Sequence, residues 1–105
     1  MNATPVAVFA TFRPRAGKHD ALRALLDGMV EHTRGEPGND LYNVYRAGDG
    51  DDRTLHLFER YGSAAALQEH RDADYYKAYR AQLPDLLQQP VEVVVLDEVD
   101  VQSHA

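Results

Sequence analysis

Cysteine is absent from this 105-residue chain. Its absence excludes disulfides, thiolate metal sites, iron–sulfur ligation and a cysteine nucleophile. It also suits a cytoplasmic protein. Basic residues are scarce: 11 Lys and Arg stand against 17 Asp and Glu, a formal charge of −6. They form no stripe, so nucleic-acid binding, which needs cations clustered against phosphates, is not expected. Membrane attachment is not expected either, because anionic surfaces repel such a chain. No apolar run approaches the roughly 20 residues of a membrane span. The opening MNATPVAVFATFRPR has no basic region ahead of a long apolar run, so a signal peptide is not expected. Dinucleotide, phosphate-loop and G-x-S-x-G signatures are missing. His19, His32, His56 and His104 show neither His-x-His nor a helical pair four apart. The acidic run Gly48–Asp52 lacks the distal glutamate of a calcium loop and reads as a solvated turn. No metal and no organic cofactor are therefore expected.

The composition fits a single domain over residues 1–105, with a core from about 6 to 101. Val6–Arg13 reads as a strand that is apolar on both faces, Val6, Val8, Ala10 and Phe12 opposing Ala7, Phe9 and Thr11. Lys18–Arg34 reads as a helix, with Leu22, Leu25, Leu26, Met29 and Val30 on one stripe and Gly35 as its C-cap. A second strand, Asp40–Arg46, sets Leu41, Asn43 and Tyr45 against Tyr42 and Val44. A third, Thr54–Tyr61, sets Leu55, Leu57 and Glu59 against His56, Phe58 and Arg60. Ser63 is placed to cap a short helix, Ala64–Arg71, and Asp72 or Asp74 to cap another, Tyr75–Leu83. Pro84 and Pro90 bracket a link to the last strand, Val91–Val101, and the tail QSHA is expected to fray.

The order strand–helix–strand–strand–helix–strand predicts an α+β, ferredoxin-like βαββαβ fold with a four-stranded antiparallel sheet. Helices on one side can cover only one face of that sheet. Every strand is apolar on both, so the second face is expected to meet another copy in a two-fold homodimer. Aromatic and titratable side chains are densest in Thr54–Tyr79. That stretch is expected to form one wall of a small-molecule pocket.

Several stretches together resemble the antibiotic biosynthesis monooxygenase family. They are a first strand ending in Pro14-x-x-Gly17, Pro37-Gly38-Asn39 before a Tyr-bearing strand, and Leu57–Tyr61 followed by Ser63, Ala66-Leu67, His70 and Tyr76-Lys77-x-Tyr79. A closing E-V-x-x-L-D-x-V-D from Glu92 completes the set. The resemblance implies a dimeric α+β barrel, with two sheets face to face and an apolar cavity in each subunit between sheet and helices. It implies oxidation of small aromatic phenols, anthrones or quinols to quinones with O2, without metal or organic cofactor.

Each candidate site residue has two readings. His70 matches the family histidine and is suited to act as a base, or it is a helix-end histidine packed beneath tyrosines. Tyr75, Tyr76 and Tyr79 can stack on an aromatic substrate and bond its oxygens, or simply fill the core. Many family members carry a second histidine where this chain has Tyr75. Asn43 can hold a substrate oxygen or bridge to a neighbouring strand. Glu59 can pair with Arg46, Arg80 or His70. Arg80 can face an oxyanion or water, and Phe58 can line the cavity or only pack. Haem-degrading relatives use an Asn on the first strand, a Trp and an axial His on the later helix, none of which this chain has there. A cofactor-free isomerase and a non-catalytic small-molecule-binding dimer of the same fold are the alternative functions.

Overall fold

The computed structural model describes residues 4–102. The predicted fraying from Ser103 onward and His104 lie outside the described residues. The elements are β1 (Val6–Phe12), α1 (His19–Thr33), β2 (Asn39–Ala47), β3 (Thr54–Tyr61), α2 (Ala64–Asp72), α3 (Asp74–Leu86) and β4 (Glu92–Asp97). The strands form one antiparallel sheet in the order β2-β3-β1-β4, the ferredoxin-like arrangement predicted. No helix among the described residues is long and apolar enough to cross a membrane.

Strand alternation decides what lies on each side of the sheet. Val6, Val8, Ala10 and Phe12 of β1 stand in register with Tyr61, Glu59, Leu57 and Leu55 of β3. This face lies under the helices. Leu22, Leu26 and Met29 of α1 pack there with Phe12, Leu57, Tyr42 and, from α3, Tyr79 and Leu83. Phe12, Leu22 and Leu26 are wholly buried, the close packing expected of a core. The other face is open. Phe9 is paired with Phe58 and Val94, Phe58 with Asn43, and His56 with Tyr45. Phe9, Tyr45, Val94 and Leu96 are 39–55% exposed, and Phe9 stacks on the His56 ring at 5.7 Å.

Three local expectations need correction. Helix α3 does not stop before Pro84 but runs through it to Leu86. Pro84 has no N–H for the Arg80 carbonyl, so the last turn lacks one bond, and Leu87 N closes it by donating to Leu83 O at 3.0 Å. Neither Asp72 nor Asp74 caps α3. Its N-cap is Ala73, with no side-chain cap, and Asp72 instead accepts from Gln68 within α2. The last strand ends at Asp97, and Val99 beyond it is almost fully exposed. A smaller difference concerns α1, which ends one residue sooner than read, with Arg34 rather than Gly35 at the C-cap. The Arg34 guanidinium donates to Tyr42 O on the edge strand β2 at 2.8 Å.

Candidate functional site

Three segments converge beneath α2 and α3. On β3, the two-residue repeat places Glu59 and Tyr61 on the helix face, and Tyr42 of β2 stands in register opposite Glu59. Helix α2 begins as predicted, with Ser63 Oγ accepting from Ala66 N at 3.1 Å. One helical turn then aligns Leu67 with His70, both buried against the sheet. The third segment is the loop after α1. Gly38 passes so close to α2 that a Cβ there would collide with the Ala66 side chain. The Gly38 carbonyl also accepts from Gly62 N at 3.1 Å. A loop clamped in this way delivers Glu36 to His70.

His70 is 2% exposed, and both of its ring nitrogens face carboxylates. Nδ1 lies 2.9 Å from Glu36 Oε2, and Nε2 lies 3.8 Å from Glu59 Oε1. Tyr61 Oη donates to that same Glu59 oxygen at 2.5 Å. Around the imidazole stand Tyr76 at 5.0 Å, Tyr61 at 5.4 Å, Tyr42 at 5.9 Å and Tyr75 at 6.3 Å between ring centroids. Tyr79 follows 5.7 Å beyond Tyr76. Tyr75 stacks on His32 of α1 at 4.7 Å, and its buried hydroxyl has no hydrogen-bond partner among the described residues.

Burial pushes the Glu59 carboxyl up to about 7, against the hydrogen bond from Tyr61, which favours the charged form. Near neutrality Glu59 therefore exists in both protonation states. The phenols of Tyr42, Tyr61 and Tyr79 are raised well above their ordinary range, first by burial and then by the Glu59 charge. They stay protonated and act as donors. With Nδ1 bonded to Glu36, Nε2 is left on the side of Glu59. The two nitrogens point at different carboxylates rather than converging on one point. Among the described residues no group of three or more His, Cys, Asp or Glu could hold a metal.

The structure brings five of the sequence candidates together: His70, Glu59, Tyr75, Tyr76 and Tyr79. Of the three partners considered for Glu59, it faces His70 rather than Arg46 or Arg80. Asn43 and Phe58 lie across the sheet, next to each other in register on the open face. Asn43 Oδ1 accepts from Arg34 Nη2 at 3.3 Å there. Arg80 is exposed on α3, beside a separate cleft. Sequence reasoning missed Glu36, Tyr42 and Tyr61 as members of the cluster. Tyr42 was legible as facing away from Asn43. Glu36 offered one signal, an acid locked between a helix end and Pro37-Gly38.

The family model described as "Antibiotic biosynthesis monooxygenase" matches residues 5–82. A Mycobacterium tuberculosis protein named "Putative monooxygenase Rv0793" is 50% identical over 97 residues, which cover 92% of this chain and 94% of that one. The solved structure of Rv0793 superimposes with a TM-score of 0.89, covering 95% of this chain and all of that one. Protein SO0527 of Shewanella oneidensis, 28% identical, gives a TM-score of 0.84 over 92% of this chain and 93% of its own.

Proposed function

Because the chain belongs to the antibiotic biosynthesis monooxygenase family, we propose that it is a cofactor-independent monooxygenase of the cytoplasm. Its reaction is the oxidation of a small aromatic phenol, anthrone or quinol to a quinone with O2. One observation carries the site assignment: a buried His70 braced by Glu36 and flanked by Glu59, beneath Tyr42, Tyr61, Tyr75 and Tyr76.

For an anthrone, the chemistry starts with transfer of a ring-methylene proton to His70 Nε2. The carbanion gives one electron to O2, and the carbon radical and superoxide join as a peroxide. The O–O bond then breaks. One oxygen stays as the new carbonyl, and the other leaves as water with the protons taken from carbon. A phenol or quinol follows the same course from its phenolate. Glu36 holds the imidazole in the tautomer that leaves Nε2 free. The protonated phenols of Tyr42 and Tyr79 supply donors to the oxyanion in surroundings that exclude water.

We assign the open sheet face to a second copy of the chain in a two-fold dimer. Phe9, Phe58, Tyr45 and Val94 supply its apolar surface, with Asn43 among them. In this reading Phe58 and Asn43 serve association, and Arg80, exposed on α3, stands apart from the His70 cluster.

Oxygen uptake on adding an anthrone, with a product one oxygen heavier and two hydrogens lighter, tests the reaction. His70→Gln is expected to lower turnover at least about tenfold while the folded dimer persists. Unchanged kinetics would remove His70 from the mechanism. A product of unchanged mass would instead identify an isomerase, and saturable binding without turnover a binding module.

A further inference from the structure

A concavity lies away from the His70 cluster, where the end of α3 meets the link to β4. It encloses about 290 Å³ and is lined by Leu83, Pro84, Leu87, Pro90 and Val91, with Arg15 and Arg80 as its charged residues. Helical spacing brings Arg80, Leu83 and Leu87 to one side of the chain, and the body of the cleft is apolar.

Its walls are fixed by the backbone. The α3–β4 link is stitched to the β1–α1 link by Arg15 N to Leu86 O at 2.8 Å and Gln88 N to Arg13 O at 2.8 Å. Gln88 Nε2 to Pro14 O at 2.9 Å and Arg15 Nη2 to Pro84 O at 3.0 Å complete the seam. A cleft held this way exists before any ligand arrives, which lowers the cost of binding.

The charge is unusual for this chain. With a net charge of −6 there are carboxylates to spare, yet neither Arg15 nor Arg80 pairs with one among the described residues. Arg15 commits one N–H group to Pro84 O. The Arg80 side chain makes no hydrogen bond among the described residues and presents its full planar fork.

We propose that this cleft is a binding site for a small amphipathic carboxylate. Its apolar body lies on Leu83, Leu87 and Pro90, and its charged end is held by Arg80 with Arg15. A guanidinium matches a carboxylate with two parallel hydrogen bonds. The apolar lining excludes a bare inorganic anion as the preferred occupant. The C-terminal end of α3, with its partial negative charge, disfavours a doubly charged phosphate more than a monoanion. Arg15, bonded to the Pro84 carbonyl, offsets that charge for the monoanion.

The test uses 2-naphthoate and its neutral counterpart 2-naphthamide, titrated into the full chain and followed by calorimetry and amide chemical shifts. Naphthoate is expected to saturate the protein at least about fivefold more tightly than the amide, with the shifts centred on Leu83, Leu87 and Val91. Arg80→Gln, at an exposed position, is expected to bring naphthoate down to the affinity of the amide. Arg15→Gln is expected to do the same where circular dichroism shows it folded. Binding in His70→Gln is expected to be unaltered, since the cleft is separate from that cluster. Equal affinity for acid and amide would overturn the proposal. So would full binding by Arg80→Gln, shifts centred on Phe9 and Val94, loss of binding in His70→Gln, or no saturable binding at all.

Discussion

Neighbouring residues of β3 divide between two environments. Leu57, Glu59 and Tyr61 are buried beneath the helices, while His56 and Phe58 lie on the open face. Both faces are rich in aromatic and aliphatic side chains. They differ in how polar atoms are treated. On the covered face the Tyr61 phenol donates to Glu59 and the His70 imidazole bonds Glu36, both out of water, and burial raises the Glu59 carboxyl. On the open face His56 is held by the hydroxyls of Thr11 and Thr54 and stacks on Phe9, an arrangement suited to packing against another surface. Burial of polar groups thus separates the two faces of one sheet.

The largest expected effect breaks this comparison from the inside. Leu22→Ala, at a wholly buried position, is expected to cost about 2–5 kcal/mol of folding stability at any protein concentration. Phe9→Asp, on the open face, is expected to leave the monomer within about 0.5 kcal/mol of its stability while abolishing the dimer in sedimentation. If Phe9→Asp unfolded the chain at every concentration, the two faces would not be separate in function.

Glu59 sharpens the comparison through pH. Its folded value of about 7 lies above the ordinary 4.5, so ionising it costs more in the folded chain than in the unfolded one. That penalty is absent below about pH 4.5, grows as pH rises, and is fully present above about pH 7. Its size is on the order of 3 kcal/mol. Glu59→Gln is expected to flatten this part of the stability profile, so that its advantage over wild type grows from pH 5 to pH 8 in urea melts. A gap that stayed constant with pH would show that Glu59 ionises as freely as it would in water.

A smaller effect is expected at Gly38. Alanine there meets the Ala66 side chain, costs about 1–3 kcal/mol, and moves Glu36 away from His70. Ala66→Gly is expected to restore both stability and turnover. Failure of the rescue would show that the close approach of this loop does not position the pair.

Element order, sheet class and the alternation along each strand were legible in the sequence, because period and turn residues speak for local structure. Which face the helices would cover was not. β1 and β3 are apolar on both sides, so periodicity alone could not tell Glu59 from Phe58 as neighbours of His70. That ambiguity explains why Asn43 and Phe58 entered the expected pocket and now stand across the sheet from it. Glu36 escaped notice for another reason. Its role depends on Gly38 pressing against Ala66, a contact between segments 28 positions apart, and no local pattern encodes such a meeting. Pro84 misled because proline was read as a stop, whereas α3 continues through it one bond short and closes with Leu87 N on Leu83 O.

Strand β4 carries a consequence for handling the protein. It is an edge strand, and Val93, Val94, Val95 and Leu96 are 39–52% exposed along both of its sides. A short β-branched run with an unpaired edge is a template for uncontrolled strand addition and fibril growth. Acidic residues at its ends, Glu92, Asp97 and Glu98, resemble the gatekeepers that flank aggregation-prone segments. Variants that uncover this strand at high concentration are expected to precipitate. Colloidal solubility therefore places its own demand on β4, apart from the packing of the covered core.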